Sequence, residues 1–311
     1  MLSRRIVRVK VMQLLYNLQA DKQLGASDLQ GIYRKGVNQT YDLFLFSLYV
    51  VLKTTRIALE EEERRKAKLL PKDEDRNFTP KLYQNPLIQE LENSEHFTSI
   101  IEKKNFAALV DGDLVRQIYR KFAKEEVYRE YVYSESGDKE HRKALLDLFR
   151  FMRKSEVFEE LLESNYSNWE DDKSLVVGAV KKVVKALPGQ PDDFLKEHYP
   201  DEETWKEFGE QLLQLTIEED SELRKTISPT LKNWDEDRLN TVDNILIKMA
   251  LCEMLHFPTI PTTVTINEYM EISKDYSTAR SKDFLNGILD KLAGDLREKG
   301  MIKKKGRGLK G

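Results

Sequence analysis

Apolar residues in this 311-residue chain recur at three- and four-residue spacing almost throughout, and scarcely anywhere in strict alternation. The first spacing gathers side chains on one stripe of a helix; the second is what a half-buried strand needs. Val7, Val11, Leu14, Leu15 and Leu18 fall at i, i+4, i+7, i+8 and i+11, which predicts a helix over 3–20 with a single apolar stripe. Fourteen Gly and nine Pro are few for this length, and hairpin signals are correspondingly scarce. The chain reads as all-α.

The same reasoning predicts a long helix from Val37 towards Leu70, closed by "EEEERRKAKLL", where Glu precedes Arg and Lys at supporting spacing. Further helical patterns cover 86–103, 106–132, 138–163 and 173–187. After Pro200, 201–227 reads as one helix and 233–257 as another, stopped at Pro258. A Pro-rich step then leads to a helix starting around Thr263 to Thr265, and the last helix runs from Ser281 to Glu298. The expected organisation is an opening helix in 1–27, an inserted helical region over 28–200, a C-terminal part over 201–296 and a loose basic tail over 297–311.

Charged residues make up 34% of the chain and apolar ones 40%, so a core lies under a heavily charged surface. The formal net charge is −3, and nucleic-acid binding would have to come from local patches. One cysteine, Cys252, excludes an internal disulfide framework and suits a reducing compartment; it sits in "KMALCEML", where a buried thiol is expected. Arg8, Lys10 and Gln13 interrupt what would have to be an apolar export signal, and "LFLFSLYVVL" at 43–52 is far short of the ~20 residues that span a bilayer. A soluble, cytoplasmic protein without a membrane partner is expected.

Signatures of catalysis are missing from the sequence. His96, His141, His198 and His256 have no neighbours at metal-ligand spacing, and no cysteine pair assists them. No glycine-rich phosphate loop and no nucleophile elbow is present. The expectation is no catalytic residue, no metal, no cofactor and no enzyme.

Three basic elements remain. At 100° per residue, Arg5, Arg8 and Tyr16 share one flank of the first helix, Arg4 lies beyond Arg8, and Gln13 is a little further round. Guanidinium groups beside a ring and an amide suit single-stranded RNA, which needs charge for phosphate, a stacking surface and a base-edge partner. A solvated arginine face with Tyr16 half-buried at its rim fits the same pattern. In the last helix, Leu285, Ile288, Leu289 and Leu292 form a core stripe with Phe284 at its edge. Ser281 is placed to cap that helix, with Arg280 and Lys282 beside it. Free backbone N–H groups there would favour an anion, or the turn is simply a capped helix with a core phenylalanine. The tail from Arg297 onward carries seven Lys and Arg against one Glu, an arrangement that attracts nucleic acid without regard to sequence.

Taken together, the two ends resemble the NusB family of bacterial transcription antitermination factors. "RRIVRVKVMQLLYNLQ" carries the resemblance at the start, and "DRLNTVDNILIKMALCEMLHFPTIPTTVTINEYMEISKDYSTARSKDFLNGILDKL" carries it near the end. Ile266-Asn267-Glu268, Lys274 and "SKDFLNGILDKL" follow the family's order and spacing. The match covers the opening helix and the stretch after Pro200, well under half of the chain.

The resemblance implies an all-helical fold of two three-helix bundles set across one another. It implies binding of the single-stranded boxA element of ribosomal RNA leaders together with NusE, a small-subunit ribosomal protein, and entry of that pair into the RNA polymerase antitermination complex. RNA contacts would map to Arg4, Arg5, Arg8, Gln13, Tyr16 and Phe284, with Arg280 and Lys282 added by the basic turn. The helix holding Asp243 and Lys248 would meet NusE. Two departures stand out: Ile6 interrupts the arginine run, and 28–200 has no counterpart in short family members. A helical scaffold that keeps the fold without RNA binding is the alternative, and an accessory domain of an RNA methyltransferase a third reading.

Overall fold

The computed structural model describes residues 2–20, 25–186, 195–231 and 240–305. Among them every regular element is a helix, and no helix is long and apolar enough to cross a membrane. The chain divides into two compact units, one of Asn38–Tyr199 and one of Leu2–Val37 with Pro200–Gly311.

The opening helix α1 (Arg4–Ala20) belongs to the unit made by the two ends. α2 (Ala26–Lys66) begins eleven residues before the expected Val37 and passes through the boundary between the units. Gly31 and Gly36 fall in its first three turns, and each costs a helix about 1 kcal/mol relative to alanine. Burial supplies the compensation: Leu29, Tyr33, Val37 and Tyr41, four residues apart, are all buried.

From Leu43 to Leu52, α2 is the centre of the inserted unit, with Phe44, Phe46, Leu48 and Val50 sealed from solvent. Around that segment stand α3 (Asp73–Arg76), α4 (Pro86–Glu92), α5 (Glu95–Lys103), α6 (Gly112–Phe122), α7 (Glu126–Tyr133), α8 (Asp138–Met152), α9 (Glu156–Asn165) and α10 (Trp169–Ala186). Three long helices expected from periodicity are each broken. The Ser94 hydroxyl accepts from the Phe97 N–H at 3.0 Å, and the Asp111 carboxylate accepts from the Asp113 N–H at 2.9 Å. These are N-caps, and each starts a new helix where the apolar pattern runs on unbroken. A third break falls at Arg153–Ser155, between α8 and α9.

In the unit of the two ends, a π-helical segment (Glu203–Glu210) leads into α11 (Gln211–Glu218), and α12 (Asp220–Leu231) follows after a break at Glu219. The single expected helix over 201–227 is therefore three segments. In the first one, a Cβ on Gly209 would lie 1.9 Å from the Tyr33 hydroxyl and 2.3 Å from Val7 Cγ1. The chain crosses α1 and the start of α2 too closely for any side chain.

α13 (Thr241–His256) starts where the Asn240 side chain accepts from the Asp243 N–H at 2.8 Å. The earlier part of its expected span, 232–239, lies outside the described residues. α13 is buried on every side from Ile245 to Met254, which makes it the unit's axis. Burial pushes the Cys252 thiol on this helix up to about 12, as an inert core thiol requires. α14 (Thr262–Tyr276) and α15 (Ser281–Glu298) complete the unit.

The last helix reaches Glu298 as expected, and part of the basic stretch that follows it is held in place. Residues 297 and 298 belong to α15. The Lys304 ammonium donates to the Phe257 carbonyl at 3.0 Å, and the Lys305 N–H donates to the Pro258 carbonyl at 2.9 Å. The end of α13 has carbonyls without helical partners, and this lysine meets them. Residues 306–311 lie outside the described residues.

Candidate nucleic-acid interface

α1 turns its arginines towards two different environments. Arg8 is 2% exposed and points into the core. Its Nε and Nη2 donate to Glu253 Oε2 and Oε1 at 2.8 and 2.7 Å. Its guanidinium carbon lies 4.9 Å from the Phe208 ring centre and 5.7 Å from that of Tyr269. Thr265 donates to Glu253 at 2.8 Å and Tyr269 at 3.2 Å, so the buried carboxylate is saturated. Burial alone would lower the Arg8 pKa, but the bonds and charge of Glu253 outweigh it and hold it above the ordinary value. A buried charge persists only when paired in this way. The expectation that Arg8 meets RNA is corrected: it is a core residue.

Arg5, one turn earlier, stays at the surface with 48% of its side chain exposed. It donates from Nε and Nη2 to Glu268 Oε2 and Oε1 at 2.9 and 2.8 Å, a parallel fork. Glu268 Oε2 also lies 3.6 Å from Arg8 Nη1. Arg4 is partly exposed and pairs with Glu203 at 2.8 Å. Gln13 is half-buried, while Tyr16 is 46% exposed. Arg5 and Tyr16 are eleven residues apart, which puts them within about 20° of one another round the helix and about 16 Å apart along it.

The N-terminus of α15 is built differently from expectation. Ser281 is the first helical residue and is buried. Its hydroxyl donates to Asp243 Oδ2 at 2.7 Å instead of capping the helix. Ser277 donates to Asp243 Oδ1, also at 2.7 Å, and the Asn240 amide donates to Ser277 at 2.8 Å. Asp243, 1% exposed, therefore pins the turn between α14 and α15 from within. Lys248 is 4% exposed and donates to Asp220 Oδ1 at 2.7 Å. Burial would push the Asp220 carboxyl up, yet Lys248 and Arg224 hold it below the usual carboxylate range. Both residues expected to face a protein partner are thus interior, and that assignment is corrected.

Above the pinned turn, Arg280 is exposed, and Lys282 and Phe284 are half-buried. α14 lies between this turn and α1. On it, Glu271 pairs with Lys274, both partly exposed. The Lys274 hydrogen bond, then the charges of Lys274, Arg5 and Lys282, hold the Glu271 carboxyl below its ordinary range. One carboxylate thus feels cations from α1, α14 and the start of α15 together. The Arg5–Glu268 pair ties α1 to α14, Lys274 lies further along α14, and Arg280 and Lys282 sit at the turn into α15, with Phe284 one turn into that helix.

The carboxylates Glu203, Glu253, Glu268 and Glu271 escape a search for basic and aromatic residues. The Glu268–Glu271–Lys274 spacing marks one helical face, but nothing in the sequence says which arginine each carboxylate meets.

The NusB family profile matches residues 190–294. A transcription antitermination protein NusB of Salinibacter ruber is 32% identical over 153 residues, spanning 49% of this chain and 88% of that protein. One from Geobacter sulfurreducens is 37% identical over 106 residues, 34% of this chain and 77% of that protein. Among solved structures, T. maritima NusB is 27% identical, covers 52% of this chain and 94% of its own, and has a TM-score of 0.29. The sequence identity to the Salinibacter ruber protein, carried across nearly all of that protein's length, settles the family: this chain belongs to the NusB family.

Proposed function

We propose that this protein is a transcription antitermination factor that binds single-stranded boxA-type ribosomal RNA leader sequence together with the NusE ribosomal protein. On this reading Arg5, Lys274, Arg280 and Lys282 take phosphates, and Phe284 and Tyr16 offer rings to unstacked bases. The observation that carries it is the Arg5–Glu268 fork, which joins the arginine-bearing opening helix to α14, the helix that leads into the basic turn. Helices from opposite ends of the chain thereby contribute cations to one strip, although the net charge is −3. The inserted unit Asn38–Tyr199 has its own core, and the reading places RNA contact on the other unit. Entry into the RNA polymerase complex through NusE belongs to the same reading. With Asp243 and Lys248 in the interior, its NusE surface has no assigned residues.

The test is binding of a labelled boxA-type oligonucleotide by full-length protein, alone and with NusE. Tighter binding in the presence of NusE and about tenfold or greater loss on combining Arg5→Ala with Phe284→Ala are expected. A helical scaffold without RNA binding is the second reading, favoured by the carboxylates already paired with Arg4, Arg5 and Lys274. Wild-type protein that does not bind the oligonucleotide, with or without NusE, decides for the scaffold.

A further inference from the structure

Two carboxylates on α14, one turn apart, face the cationic strip, and their surroundings differ. Glu271 is 41% exposed and holds Lys274, itself 40% exposed. Neither is backed by the core. Glu268 is 21% exposed and ends a chain of hydrogen bonds and an ion-pair contact that begins in the interior. Thr265 and Tyr269 hold Glu253, Glu253 holds Arg8, Arg8 lies 3.6 Å from Glu268, and Glu268 grips two donors of Arg5. The fork uses one edge of the Arg5 guanidinium and leaves the Nη1 side for a ligand.

We propose that Glu268 is a positioning residue for RNA binding, holding the Arg5 guanidinium so that its outer edge meets a phosphate. The proposal rests on the RNA-binding reading above. An unheld arginine at a helix start samples many rotamers, and ordering it on binding costs affinity. A guanidinium already locked by a bidentate carboxylate, itself locked by a buried ion pair, avoids that cost.

The proposal opposes plain electrostatics in sign. A carboxylate beside RNA repels phosphate, so neutralising any glutamate here would tighten binding. Positioning makes Glu268 the exception, while Glu271 remains a simple competitor for Lys274.

The experiment measures binding of a labelled single-stranded boxA-type oligonucleotide by the full-length protein across a salt series. Glu268→Gln is expected to weaken binding on the order of tenfold, and to flatten the logarithmic salt slope by about 0.7, the share of one phosphate contact on a single strand. Glu271→Gln is expected to tighten binding. In an Arg5→Ala background, Glu268→Gln should cause no further loss, because its effect passes through Arg5. Should the glutamine variant fail to fold, Glu268→Asp carries the test: it keeps the charge but is one methylene short, so electrostatics predicts no change and positioning predicts a loss. Binding by Glu268→Gln as tight as wild type, or an equal loss in the Arg5→Ala background, overturns the proposal. An Asp variant that binds like wild type overturns it too. A wild-type protein that binds no oligonucleotide overturns the RNA-binding reading and this proposal with it; unchanged Glu268 variants of a binding protein overturn this proposal alone.

Discussion

Arg5 and Arg8 stand three residues apart on one helix, and the side of α1 each occupies decides what its loss would do. Arg8→Ala leaves Glu253 charged in the core without its partner; the expected destabilisation is about 3–5 kcal/mol in a denaturant titration. Arg5→Ala removes an exposed ion pair, for which a change within about 1 kcal/mol is expected, with the loss appearing in RNA affinity instead. The difference in unfolding midpoint between the two variants checks the assignment. Glu268 adds a pH dependence. The Arg5 hydrogen bond, with the charges of Arg5 and Arg8, holds its carboxyl below the ordinary range. A carboxyl depressed by folding contributes stability above its unfolded value of about 4.3, and that contribution is lost as pH falls through the lower folded value. Glu268→Gln should therefore lose less stability than wild type between pH 6 and pH 3, read as the shift in denaturation midpoint.

Two helices of the inserted unit start where a side chain claims a backbone N–H, and the apolar pattern does not record it. Ser94 and Asp111 divide stretches whose periodicity runs on across them, so helix existence was legible from spacing and helix boundaries were not. At the start of α2 the helix begins before the expected Val37, and Leu29, Tyr33 and Val37 are buried there. Gly209 shows the same limit from another side. Its neighbours, Val7 and Tyr33, lie far away in sequence, so a glycine inside a helical pattern reads only as a weak spot. Gly209→Ala is expected to destabilise by about 1–3 kcal/mol through overlap with those side chains, measured as a lower thermal midpoint.

For the whole molecule, binding must come from a strip of cations on an acidic background, and salt should report its size. With Arg5, Lys274, Arg280 and Lys282 each releasing a counterion, the logarithmic slope of affinity against salt is expected near −3, from about 0.7 per contact on a single strand. A slope near zero would remove phosphate contact as the basis of binding. The candidate residues themselves were partly legible. Arg5, Lys282 and Phe284 were reached from helical angle and from the basic turn, and the structure leaves them at or near the surface. Arg8 was reached by the same reasoning, and Asp243 and Lys248 from the family resemblance; all three lie inside, because neither a helical angle nor a place in a family's residue run fixes what packs on that side.

Periodic apolar spacing, with few glycines and prolines, was enough to determine an all-helical chain, and the residue runs at its two ends were enough to indicate its family. Those are local properties: a 3.6-residue repeat and a string of residues exist before folding. Which arginine became an interior ion and which stayed at the surface was decided only when α13 and α14 closed on α1. A charge alone in water tolerates either place, and the carboxylates Glu253 and Glu268 that separate the two fates arrive from the far end of the chain.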